Sequence, residues 1–282
     1  MRYIMDDAAN VIIVAVILLL GLFALATAII HTTYTPEWRR SSEAEHMEEV
    51  FEDFEDLKRG IDIVASASAD RVVTLSQDIR MGGGGIPVIS PEKSGGMLKT
   101  DPLLPSIYIA TDSYTRTIAF EHLGSIAFTS DNRFALDRTY IYENGAVIVS
   151  EINRTMMRLP PSITFKRFNN GTKAVTLRII NMSLDNESVA SSGIEEISFT
   201  YRSSTTRFSD AVTDVSITVT SDHTPAWEEF MLDGVRRAGF NESEYDVSSS
   251  ESVRLDIHGD VDLTIVEVKV DGRIEPVIET GD

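Results

Sequence analysis

The chain of 282 residues contains no cysteine. Disulfide staples, thiol nucleophiles and cysteine-based zinc sites are excluded, so the fold rests on its apolar core. Lysine is scarce, confined to positions 58, 93, 99, 166, 173 and 269. Only 25 basic residues stand against 44 acidic ones, a formal net charge of −19 with a pI near 4.6. Nucleic-acid phosphates repel such a surface, so no nucleic-acid partner is expected. The five histidines, His31, His46, His122, His223 and His258, form no H-E-x-x-H motif and no close pair. The G-x-S-x-G elbow of hydrolases is missing. Asp210 and His223 lie near Ser209 in sequence, but a triad is defined by geometry, and serine is abundant here. Asp260, Asp262 and Asp271 lack calcium-loop spacing and read as solvated turn carboxylates. The glycines of MGGGGIPVISPEKSGGML, residues 81–98, are not followed by G-K-[ST], so they form no phosphate loop. Residues 81–102 read instead as a flexible Gly/Pro-rich loop. No catalytic, cofactor or metal site is expected, and the protein reads as a non-enzyme.

What is present begins with VIIVAVILLLGLFALATAII, residues 11–30. Twenty uncharged residues span about 30 Å as a helix, the thickness of a hydrocarbon core. The run is too long, and its start too acidic at Asp6 and Asp7, for a cleaved signal peptide. It reads as an uncleaved transmembrane helix in contact with the lipid bilayer. Residues 1–10 form a short tail on the cytoplasmic side. Tyr34, Trp38, Arg39 and Arg40 follow as interfacial anchors.

Residues 35–66 continue as an amphipathic stalk helix. Pro36 suits a restart at the first helical position. Met47, Phe51, Phe54, Leu57 and Ile61 recur at three- and four-residue steps, one apolar stripe. The stripe needs a cover: the β domain, like subunits, or other envelope proteins. Within this helix Glu43 and His46 form Glu-x-x-His, half of a carboxylate-bridged metal motif. The sequence holds one such pair and no companion helices, so the motif predicts no metal.

Residues 70–282 read as an antiparallel, sandwich-like β domain. Tyr140-Ile-Tyr-Glu-Asn144-Gly145-Ala-Val-Ile-Val149 is two β-prone runs around Asn-Gly, a hairpin signal. A second hairpin surrounds Asn169-Asn170-Gly171. Strands are expected over 107–110, 116–121, 125–129, 138–143, 162–168, 173–181, 194–202, 212–220, 252–258 and 261–270. One helix near 224–238 starts at Thr224-Pro225, carries Trp227, Met231 and Val235, and stops at Gly239. Trp227 is expected in the core. Asn153, Asn170, Asn181, Asn186 and Asn241 head N-x-S/T triplets, the pattern of glycan acceptors.

The terminal apolar helix, its amphipathic continuation and the β-rich head together resemble archaeal pilin-like proteins. His46-Met-Glu-Glu-Val-Phe-Glu-Asp-Phe54-Glu-Asp-Leu57-Lys-Arg-Gly-Ile61, the 140–148 hairpin and the Ala226-Trp227 helix are similar to an uncharacterised family of archaeal membrane-anchored surface proteins. The resemblance implies an α+β fold with the head outside the cell membrane. It also implies a structural role as an envelope component or minor pilus subunit. Prepilin processing calls for a basic residue beside the apolar stretch, and Asp7-Ala8-Ala9-Asn10 has none. The alternative is a membrane-tethered recognition module that binds a glycan or protein through loops of the β domain.

Overall fold

The computed structural model describes residues 3–66, 73–86, 91–111, 115–152 and 154–275, with side chains from residue 11 onward. Helix α1 (Tyr3–Ile29) passes through a π-helical turn (Ile30–Tyr34) into α2 (Thr35–Ala65). The expected restart at Pro36 is therefore a continuation. Proline has no N–H, and its ring collides with the carbonyl four residues back. The wider turn accommodates it: the Thr35 N–H and its hydroxyl, at 3.0 Å, both reach the Ile30 carbonyl five residues back.

The strands, in chain order, are β1 (Thr74–Arg80), β2 (Gly95–Asp101), β3 (Ser106–Thr111), β4 (Arg116–Phe120), β5 (Ser125–Asp131), β6 (Thr139–Glu143), β7 (Ala146–Glu151), β8 (Arg154–Leu159), β9 (Ile163–Arg167), β10 (Lys173–Ser183), β11 (Ser188–Ser191), β12 (Ile194–Thr220), β13 (Tyr245–Ser249) and β14 (Val253–Glu275). Helix α3 (Thr224–Arg237) lies between β12 and β13. One sheet runs β4-β3-β12-β14-β10-β9, with β1 added on β12 and β13 on β14; the other runs β11-β2-β5-β6-β7-β8.

The expected strand boundaries are corrected in three places. The strands expected at 194–202 and 212–220 are one, β12. It bends at irregularities between Tyr201 and Ser203, Thr206 and Phe208, and Thr213 and Val215. Likewise 252–258 and 261–270 are one strand, β14, carried through a left-handed Gly259. The assembly is antiparallel except that β10 and β14 pair in parallel. Finally, the 81–102 loop ends as a strand: β2 pairs with β5 on one side and β11 on the other. Gly96 belongs there because a Cβ would lie 2.2 Å from the Phe128 ring.

The β6–β7 hairpin is buried from Tyr140 through Val149. Its side chains alternate between two cores. Ile141, Ala146 and Ile148 join Trp227, Met231 and Val235 of α3. Tyr140, Tyr142, Val147 and Val149 join Met47, Val50, Phe54, Leu57, Ile61 and Val64 of α2. A strand packed on both faces reads as a continuous apolar run. Asn144 (φ 45°) and Gly145 (φ 80°) close the turn in the left-handed region.

Candidate functional site

The candidate site is the anchor and its junction with the head. Nothing in the described chain covers residues 11–30, and Leu20 and Phe23 are 61% and 71% exposed. This helix is long and apolar enough to cross a membrane. Exposed apolar surface on that scale is unfavourable in water, and lipid removes the cost.

The stripe meets the opposite fate. Met47, Phe54, Leu57 and Ile61 are fully buried against the head. Phe51 is half-buried, 6.2 Å from the Tyr140 ring and 5.0 Å beneath the Arg158 guanidinium. The cover left open by the sequence is therefore the β domain itself. The case for like subunits or other envelope proteins on this stripe goes with it.

The Glu43–His46 pair has a structural part. Glu43 is buried and accepts backbone N–H bonds from Phe134 and Ala135 (2.8 Å each) and from Arg133 (3.3 Å). Its carboxylate pins the 132–137 turn to the helix. Gly83 and Gly84 lie flat on the same helix: a Cβ on Gly83 would come 2.3 Å from His46, and one on Gly84 2.6 Å from Glu43. Burial pushes the His46 imidazole below its ordinary value, with Glu49 (3.7 Å) acting in the opposite sense. One turn further on, buried Asp53 accepts from the Arg80 backbone N–H (2.9 Å) and guanidinium (2.6 Å). That bond holds the Arg80 pKa up. The Tyr140 hydroxyl donates to the Met47 carbonyl at 2.6 Å, a carbonyl that the helix already engages.

A further buried carboxylate, missed in the sequence, ties the hairpin to α3. Glu143 accepts from the Trp227 indole N–H and from the Ser221 hydroxyl, the latter at 2.7 Å. Burial raises its pKa, and the two donors and His223 oppose that rise. Trp227 is core, as expected. Its hydrogen bond fixes a hairpin whose Asn144 side chain also accepts the Ile180 N–H (2.9 Å).

The remaining candidates are dispersed. The Ser209 hydroxyl pairs with Thr264 (3.4 Å), Asp210 accepts from the Ala211 N–H (2.9 Å), and the His223 N–H donates to Ser221 (3.0 Å). Among the described residues no group of three or more His, Asp or Glu is placed to hold a metal. Asn170 and Asn186 are exposed. Asn181 lies within β10, its amide donating to Glu267 at 2.9 Å. Asn241 caps the short helical turn before β13. Asn153 lies outside the described residues. A cleft of about 560 Å³ separates β8 from α3, lined in part by Met156, Arg158 and Phe230.

These features define a β-rich head built around the second half of one long helix, whose first half is a candidate membrane span. The chain belongs to a family of unknown function (DUF7289), whose model matches residues 10–273. No curated protein and no solved structure matches it.

Proposed function

We propose that this protein is a single-pass, externally exposed, non-enzymatic envelope component of pilin-like architecture. The observation that carries the reading is the division of one helix. Its first half is apolar and uncovered; its second half is built into the head core. A helix shared in this way carries the head rigidly at a fixed height above the bilayer. Five N-x-S/T triplets on the head support the external side, and Asn170, Asn186 and Asn241 are exposed. The acidic surface keeps neighbouring heads apart in solution.

Membrane fractionation, protease protection and N-terminal mass spectrometry test this. The expected result is a membrane-bound chain that keeps residues 1–10, with its head cleaved only by protease added outside. Recovery in sheared filaments, with a start near Ala9 or Asn10, would instead make it a filament subunit. A head protected from external protease would overturn the orientation.

A further inference from the structure

We propose that the 132–137 turn is a second membrane contact, a foot that rests the head on the lipid interface beside the anchor. This rests on the reading of residues 11–30 as a membrane span.

Contacts along α2 order the head by height above that span. Arg39 meets Phe134 and the Glu92 carbonyl. Glu43 meets Gly84 and residues 133–135. His46 meets Gly83, Met47 meets Tyr140, and Asp53 meets Arg80. Of these, the 132–137 turn and the residues around Glu92 lie nearest the membrane.

The height of the interface is marked by Tyr34 and Trp38, whose rings pair at 5.8 Å and remain 51% and 44% exposed. Aromatic residues of this kind settle at headgroup level. Arg39 is the next residue, about 1.5 Å further along the helix axis. Its guanidinium lies 5.5 Å from the Phe134 ring centroid. Phe134 therefore sits at the level of the aromatic belt. Phe134 is 39% exposed and Leu136 65% exposed, on a turn held in place by the Glu43 carboxylate. Two apolar side chains on a pinned turn at this depth suit the apolar edge of the headgroup layer. The charges nearby are mixed: Arg40, Lys93 and Arg133 against Glu37, Glu92, Asp131 and Asp137. Insertion would thus be driven by Phe134 and Leu136 and would not require anionic lipid.

The absence of cysteine allows single reporters to be placed at will. The full chain carrying Leu136→Cys, Trp38→Cys, Leu20→Cys or Phe168→Cys is labelled with an environment-sensitive fluorophore. Each is reconstituted in phosphatidylcholine vesicles doped with nitroxide lipid, the nitroxide placed either on the headgroup or deep in the acyl chain. Phe168 is exposed in the β9–β10 turn, at the end of the sheet remote from Arg80. The headgroup nitroxide is expected to quench the label at 136 as strongly as that at 38, and to leave the one at 168 unchanged. The deep nitroxide is expected to quench the label at 20. Quenching at 20 and 38 with none at 136 overturns the foot and leaves the anchor standing. Equal quenching at 136 and 168 also overturns it, since the head would then lie unoriented on the surface. Failure to quench at 20 removes the anchor reading and this proposal with it.

Discussion

Glu143 shows how one buried carboxylate can join two elements and charge for it in pH dependence. Its two donors, the Trp227 indole N–H and the Ser221 hydroxyl, both bond to its Oε1. Glu143→Ala strands both, at a cost of about 1–3 kcal/mol for each. Glu143→Gln keeps an amide oxygen for them and removes the titration. The sign follows from the raised folded pKa. A carboxyl that holds its proton more tightly when folded stabilises fully below its unfolded value, near 4.5. That contribution is lost as pH rises through the folded pKa. Denaturant titrations across pH should therefore show stability declining upward from about pH 4.5 in the parent. Glu143→Gln should flatten that segment, and an unchanged slope would show that the carboxyl does not titrate there. His46 tilts the opposite way. Its folded pKa is lowered, so its contribution is present above 6.5 and is lost as pH falls.

At the scale of elements, α2 was legible because one face of it does a single job. The steps from Met47 to Ile61 follow the helical period, and each of these residues touches the same core. Phe54 lies at the centre, fully buried and 5.9 Å from the Tyr140 ring. Phe54→Ala should cost about 3–5 kcal/mol in chemical unfolding. Ile63→Ala, on the open face at 56% exposure, should stay within about 0.5 kcal/mol. Comparable losses at both positions would mean that the helix packs differently. The long strands were not legible for an equally physical reason. Residues 203–211 of β12 are mostly polar and exposed, and its irregularities shift the side-chain phase, so the pattern reads as two strands and a loop. Gly259 and Asp260 imitate a turn in β14, and Gly95-Gly96 imitate a loop at the start of β2. The features that decide each case, the neighbouring strands and the Phe128 ring, are distant in sequence. The same holds at the junction. The structural parts of Glu43, His46 and Asp53 were hidden because their partners at 133–135, 83 and 80 cannot be located from spacing alone.

For the whole molecule, the decisive distinction is between a stalk that carries a finished head and a helix that completes one. A stalk can be removed without harm. Here the inner faces of both sheets close on α2: Ile126, Phe128 and Tyr142 from one, and Ile197, Phe199 and Val270 from the other. Without residues 35–65 those side chains would face water, and Arg80 would lose the Asp53 carboxylate that fastens β1. A chain beginning at Thr35 should therefore be soluble without detergent and unfold cooperatively. Residues 11–30 add no contact to the head, and Pro36 is already suited to a helix start. A chain beginning at residue 67 should expose the second core, bind hydrophobic dyes and aggregate. Circular dichroism, dye binding and size-exclusion chromatography on the pair separate the two cases. A folded, monomeric head without α2 would return the helix to the role of a simple spacer and leave its apolar stripe to another partner.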